Sequence, residues 1–235
     1  MEKIIAKGIV LARTNYAESD RIITVLTRDH GKQQLIAKGA RKIKSKLAGG
    51  IELFAVNSIS YIGGKSSLKT LVSSKMENNF HGILRDYHRS QIGYYFIKAI
   101  NDCTEDDCGP EYFDVLCGGL EGLDNSKIDG NVIKAWFGLR LLAILGHQPV
   151  LENTADGQKL QNDKKYNFDF STMSFMYHEQ GKYLANDIKF MRLALSMSPE
   201  ALNKIENIQA IATRVSLLLD AMLQPYLHGS ASSME

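Results

Sequence analysis

With 235 residues, 44% of them apolar and 23% charged, the chain has the composition of a globular protein with room for two modest domains or one large one, and not that of a disordered chain. No apolar run approaches the roughly 18–20 residues of a membrane-spanning helix, and the opening Met1–Gly8 stretch lacks the features of a secretion signal. Three cysteines, Cys103, Cys108 and Cys117, argue against a disulfide framework and fit a reducing, cytoplasmic setting. The formal charge of +2 conceals an asymmetry: residues 1–80 hold 14 Lys and Arg against 6 Asp and Glu, whereas residues 81–235 hold 14 against 20. A basic region in a near-neutral chain is the electrostatic footprint of a nucleic-acid surface or of a site for an acidic protein, although a merely solvated small domain would look the same.

The basic region reads as β-structure. Five short runs rich in β-branched residues, 3–13, 21–27, 33–37, 53–62 and 68–73, are separated by turn signals at Asn15–Asp20, Asp29–Gly31, Gly49–Gly50 and Gly63–Gly64. Five strands within about 75 residues predict a small closed barrel of the oligonucleotide-binding (OB) type, because closure removes exposed sheet edges. Near residue 80 the apolar period changes to a helical one. Ile92, Tyr95, Phe96, Ala99 and Ile100 predict one helix, and Phe113, Leu116, Cys117 and Leu120 a second, with Pro110 suited to its first turn.

A third helix, begun near Asp129–Asn131 and stopped by Gly146 and Pro149, is apolar nearly all round and should be a buried centre. Alternation at Tyr166, Phe168 and Phe170 and again at Met173, Phe175 and Tyr177 predicts one small hairpin inserted among the helices. Helical spacing resumes at Asp187, and Ile208–Met222 carries the last stripe before Pro225 and a small, polar tail from His228. The expected fold class is therefore α+β: a barrel over 1–78 and an α-helical domain over 79–235, with a hairpin insertion at about 150–185.

The densest functional signal is Lys38-Gly39-Ala40-Arg41-Lys42-Ile43-Lys44-Ser45-Lys46, in which five of nine residues are cationic and none is acidic. It lies in the longest connection of the predicted barrel. Like charges at this density repel one another unless a polyanion neutralises them, and phosphate contacts made here would release counterions, giving salt-dependent, sequence-blind binding. Arg13, Arg21, Arg28 and Lys32 could extend the surface. Aromatic residues are sparse (Tyr16, Phe54, Tyr61), which favours backbone contact over base stacking.

Other candidate motifs fail on spacing. Gly63-Gly64-Lys65-Ser66 lacks the first glycine of a phosphate loop and reads as a turn. The cysteines lack a fourth ligand and the paired spacing of structural zinc. The acidic run Asp102–Asp114 has no calcium-loop spacing and reads as a solvated connection. No HExxH or GxSxG arrangement is present.

Several segments together resemble the RecO family of bacterial recombination mediators: Gly8–Leu11, Tyr16-Ala17-Glu18-Ser19-Asp20-Arg21-Ile22, Leu26–Lys32, Ala37-Lys38-Gly39-Ala40-Arg41-Lys42 with Lys44–Leu47 and Gly50, and later Leu141–Pro149 and Pro225–Leu227. One departure stands out. Many members carry a four-cysteine zinc site, and Thr154 and Gly157 occupy the places of its first pair, so the zinc site is expected to be lost and no cofactor needed.

The resemblance implies a non-enzymatic DNA repair and recombination mediator, cytoplasmic and nucleoid-associated. It would bind single- and double-stranded DNA, anneal complementary strands and, with RecR, help load RecA onto strands coated by single-strand-binding protein (SSB). The expected DNA contacts are Arg13, Arg21, Lys32, Lys38, Arg41, Lys42, Lys44 and Lys46. Lys134 and Arg140 are candidates for receiving the acidic SSB tail. Competing readings are an adaptor whose basic patch binds an acidic protein tail, an RNA-binding OB protein, and an enzyme with an unrecognised carboxylate site.

Overall fold

The computed structural model describes residues 3–63 and 68–227. The expected turn at Gly64–Ser66 and the tail from His228 lie outside the described residues. Two compact units divide at Asp124/Asn125.

The first unit opens with five strands, β1 (Lys3–Tyr16), β2 (Asp20–Thr27), β3 (Gly31–Ala37), β4 (Ala55–Ile62) and β5 (Lys69–Asn79). They close into a barrel of order β1-β2-β3-β5-β4, with β4 returning to β1 and every pairing antiparallel except β3 with β5. This is the five-stranded OB-type barrel that the residue pattern predicts. A bulge between Val10 and Ala12 bends the long β1 so that its first half pairs with β4 and most of its length with β2. Alternate residues fill the interior: Ala6, Val10, Ile23, Val25, Leu35, Ile59, Tyr61 and Leu71.

The outward-facing Ile9, Leu11 and Leu26 are buried too, because helices α1 (Tyr87–Cys103) and α2 (Pro110–Asp124) lie against β1 and β2. The Asp86 carboxylate caps α1 by accepting from the Arg89 N–H at 2.9 Å, and Pro110 opens α2, as its fixed φ suits. The β2–β3 turn is pinned between barrel and helices. Gly31 has φ +61°, and a β-carbon there would stand 2.2 Å from the Asp106 carbonyl oxygen, so only glycine fits.

The second unit is helical around α3 (Gly130–Ile144), whose buried residues lie on every side, from Val132 and Trp136 to Leu142. Asp129 caps it, accepting from the Asn131 N–H at 2.8 Å, and Gly146, at φ +78°, ends it. Helix α4 (Ala185–Ala194), the single turn α5 (Pro199–Leu202) and α6 (Ile208–Leu223) complete the bundle. Asp187, fully buried, accepts from the Leu184 N–H at 2.8 Å and from both arms of Arg214 at 2.7 and 3.2 Å, tying α4 to α6.

The expected hairpin is present as β7 (Lys165–Asp169) and β8 (Ser174–Tyr177), with Phe168 opposite Phe175. It is part of a larger sheet of order β6-β8-β7-β9, flanked by β6 (Val150–Thr154) and the two-residue β9 (Tyr183–Leu184). Both flanking strands are too short and too irregularly paired to leave a period-2 signal.

Candidate nucleic-acid interface

The connection from β3 to β4 carries the cationic segment, and its backbone is a succession of tight turns: the Lys42 N–H donates to the Gly39 carbonyl at 3.1 Å, that of Ser45 to Lys42 at 2.9 Å, and that of Gly50 to Leu47 at 3.1 Å. Small apolar residues peg it to the barrel. Ala40 and Ile51 are buried in the barrel core, with Leu47 packed against them. Along this connection Lys38, Arg41, Lys42, Lys44 and Lys46 are all exposed. Among the described residues none of the five has a carboxylate within ion-pair distance.

The start of this segment is held by the β1–β2 turn. The Asp20 carboxylate accepts the Gly39 N–H at 2.7 Å, and the Ser19 carbonyl accepts the Arg41 N–H at 2.9 Å. Gly39 sits in the left-handed region at φ +66°, where glycine carries no steric cost. Two of the sequence segments singled out above, Tyr16–Ile22 and Ala37–Lys42, are therefore one structural unit. Its acidic member orients the backbone of its basic member. Sequence reasoning named both segments but not their contact, which pairs residues about 20 positions apart.

The other sequence-predicted cations have different surroundings. Arg13 donates to Glu52 at 2.5 Å, and Arg21 to the Asn15 side-chain carbonyl at 3.4 Å; both flank the same connection. Lys32 turns away from it: its ammonium donates to the Asn101 carbonyl at 3.1 Å and to the Thr104 carbonyl, at the C-terminal end of α1. Arg28 makes a two-pronged pair with Asp114 of α2 at 2.8 and 3.1 Å. Part of the acidic run is thus engaged by the barrel's own cations, and Asp102 pairs with Lys98. Of the barrel aromatics, Phe54 and Tyr61 are buried and Tyr16 is exposed.

The two cations proposed for an acidic tail lie on α3 of the second unit. Lys134 bonds Asp220 of α6 at 2.5 Å. Arg140 lies over the Trp136 ring, 5.0 Å from its centroid, and donates to the Ala194 carbonyl at 3.3 Å; burial pushes its guanidinium down from the ordinary arginine range.

Two family models match the chain, one described as Recombination protein O N terminal over residues 1–80 and the other as Recombination protein O C terminal over residues 84–235. The chain belongs to the RecO family. Similar curated proteins are the DNA repair protein RecO of Desulfatibacillum aliphaticivorans, 33% identical over 155 residues that cover 65% of this chain and 60% of that one. The DNA repair protein RecO of Dehalococcoides mccartyi is 29% identical, covering 86% and 77%, and that of Listeria welshimeri is 29% identical, covering 88% and 82%.

RecO proteins act in DNA repair and recombination as mediators and not as enzymes. Thr154 and Gly157, which the resemblance sets against the first cysteine pair of the family's zinc site, offer no thiolate. The Thr154 hydroxyl and N–H engage the Gln158 carbonyl at 2.9 and 2.8 Å, and Gly157 closes the turn at φ +83°. A hydroxyl already in use and a residue without a side chain do not fit a structural zinc site. Among the described residues no group of three or more His, Cys, Asp and Glu is placed to hold a metal ion, and no helix is long and apolar enough to cross a membrane.

Proposed function

We propose that this RecO protein binds single- and double-stranded DNA through the Lys38–Lys46 segment, with Arg21 at its margin, and anneals complementary strands by neutralising both backbones. The observation that carries the reading is the set of five exposed cations, on a connection pegged at both ends, without carboxylate partners among the described residues. Such charges are held close together against their own repulsion, and a phosphate backbone relieves that repulsion.

In the same reading the barrel, residues 1–78, is the DNA-binding domain, and residues 79–235 dock protein partners. RecR and the SSB tail are the partners expected, so that RecA loads on SSB-coated strands in the cytoplasm. Arg140, with its stem on Trp136, offers a cation beside an apolar ring to a carboxylate-bearing peptide, whereas Lys134 must first give up Asp220. Folding is proposed to proceed without zinc. The Tyr166–Phe168–Phe175–Tyr183 ring cluster, with centroids 5.1–6.5 Å from Phe175, takes over the internal support of this sheet.

The test is DNA binding against ionic strength for the native chain and for Arg41→Ala/Lys42→Ala/Lys44→Ala/Lys46→Ala. Each lost phosphate contact should lower the slope of log K against log salt by about 0.7 for single strands and about 0.9 for duplex. Four lost contacts should therefore cost the variant roughly 2.8 slope units on single strands. An unchanged slope and affinity would overturn the assignment.

A further inference from the structure

The barrel exposes few aromatic rings, but α1 in the same unit exposes two. Tyr87 and Tyr94 on it are 80% and 51% exposed, and with Gln91 and Lys98 they fall on one helical stripe; Leu84, 59% exposed, lies in the separate turn His81–Arg85 that precedes the helix. The opposite face of α1, Ile92, Phe96, Ile97 and Ile100, is buried, so the stripe is not the core face of the helix. Each of its two rings has a neighbour. The Gln91 side chain donates to the Tyr87 hydroxyl at 3.0 Å. Tyr94 stands edge-on to Phe54, with centroids 4.9 Å apart.

Phe54 is what links this stripe to the cationic connection. It is the last residue before β4, buried to 1% exposure and strained at φ +58°. It fits only because position 93 is glycine, where a β-carbon would come within 2.9 Å of its ring. The chain that leaves Lys46 therefore ends under Tyr94. Arg85 and His88 beside the stripe are exposed, and among the described residues Arg85 makes no ion pair. Open tyrosine rings beside the Arg85 cation, joined through Phe54 to the chain that carries the basic segment, have the composition of single-strand binding surfaces, in which a cationic track carries the backbone and rings take the bases.

We infer that the Tyr87–Tyr94 stripe is a base-stacking platform for single-stranded nucleic acid whose backbone runs along Lys38–Lys46, an inference that rests on the DNA-binding reading of that segment. Tyr87 and Tyr94 are seven residues apart, about 10.5 Å along the helix axis. That exceeds the ~3.4 Å step of stacked bases, so the two rings take non-adjacent, unpaired bases. Duplex, whose bases are already stacked and paired, gains nothing from the stripe. The platform thus provides a preference for single strands that the basic segment alone does not.

The experiment is fluorescence anisotropy at low salt with labelled oligothymidylate, the same strand made abasic at every position, and a duplex of equal length, using Tyr87→Ala and Tyr87→Phe. The Tyr87 hydroxyl is held by the Gln91 side chain, and the Phe54–Tyr94 ring pair does not include it, so its removal leaves the packing of Phe54 and Tyr94 intact. Tyr87→Ala should weaken oligothymidylate binding about five- to tenfold, with the salt slope unchanged. Tyr87→Phe should restore it, and neither variant should alter duplex or abasic binding. Equal losses on duplex and single strand, or no loss on either, would overturn the platform. So would a change in sedimentation behaviour with DNA affinity intact, because the stripe would then be an interface between copies of the chain. If the native chain itself shows no salt-dependent binding, the reading of Lys38–Lys46 fails first; steep native binding with Tyr87→Ala unaltered sinks the platform alone.

Discussion

Lys32 is the residue at which the sequence pattern and the structure assign different work, and Lys32→Met separates the two. In the folded chain its ammonium serves two main-chain carbonyls, those of Asn101 and Thr104, at the end of α1. A hydrogen bond to a charged group contributes roughly 1.5–3 kcal/mol net when its partner cannot be replaced, and a cation at a helix C-terminus adds about 0.3–1 kcal/mol. Lys32 is half-buried, so water entering the site would recover part of this; about 2–3 kcal/mol is the expected loss for Lys32→Met, whose unbranched stem preserves the packing.

With a urea slope of about 2–3 kcal/mol per molar, the unfolding midpoint should fall by about 1 M, read by far-ultraviolet circular dichroism. The slope of DNA affinity against salt should stay where it is, because no phosphate contact is removed. A midpoint within about 0.2 M of the native value, together with a salt slope shallower by about 0.7, would refute the structural assignment and return Lys32 to the DNA surface.

Gly31→Ala combines a left-handed backbone with a clash against the Asp106 carbonyl oxygen; it should destabilise the first unit by roughly 2–4 kcal/mol in the same urea assay. Burial pushes the Cys103 thiol up to about 11 and the Cys117 thiol up to about 12. Native protein should therefore alkylate slowly at pH 8, whereas the unfolded chain, with thiols near about 8.5, reacts quickly. The folded state holds these protons more tightly, so the corresponding stability is complete below about pH 8.5 and is lost as pH climbs through 11 and 12, a decline that urea midpoints across that range would detect. Treatment with EDTA should leave thermal unfolding unchanged, whereas Phe175→Ala, at the hub of the ring cluster, should cost roughly 3–5 kcal/mol; a chelator-dependent melting temperature would contradict folding without zinc.

The parts of the fold that were legible in the residues are those fixed by local periodicity and by capping chemistry. The five barrel strands, the Pro110 start of α2, the Asp129 cap of α3 and the Gly146 stop all follow from residues within a few positions of the feature they control. Strands β6 and β9 were not legible, because a five-residue strand paired in parallel with a break in register, and a two-residue strand, depend on partners far along the chain. The candidate site divides in the same way. Charge density marked Lys38–Lys46. The engagement of Arg13 by Glu52, of Arg28 by Asp114 and of Lys32 by helix-end carbonyls could not be read, because these contacts span 39, 86 and about 70 positions. A signal was available for Arg28: the dense acidic run Asp102–Asp114 is long enough to need cations of its own, and Arg28 pairs with Asp114 of that run.

The division of cations also explains why the β3–β4 connection keeps its charge. Two carboxylates bracket it, and both are already committed. Asp20 spends its lone pairs on the Gly39 N–H, and Glu52 pairs with Arg13. Neither commitment is incidental to the five cations between them, which have no carboxylate partner among the described residues, since Asp20 holds the left-handed turn at Gly39 from which Arg41 and Lys42 project. Replacing Asp20 by Asn tests that link. The substitution keeps an acceptor for the Gly39 N–H but removes a negative charge close to the segment, so DNA affinity should rise slightly at low salt. Asp20→Ala removes the acceptor as well. Its charge change is the same, so any affinity lower than that of Asp20→Asn measures the ordering of the connection, expected at about two- to fivefold for one charge-assisted hydrogen bond of part-exposed geometry. Equal affinities for the two variants would mean that the turn holds its shape without Asp20, and that the cations act by their number rather than by their placement.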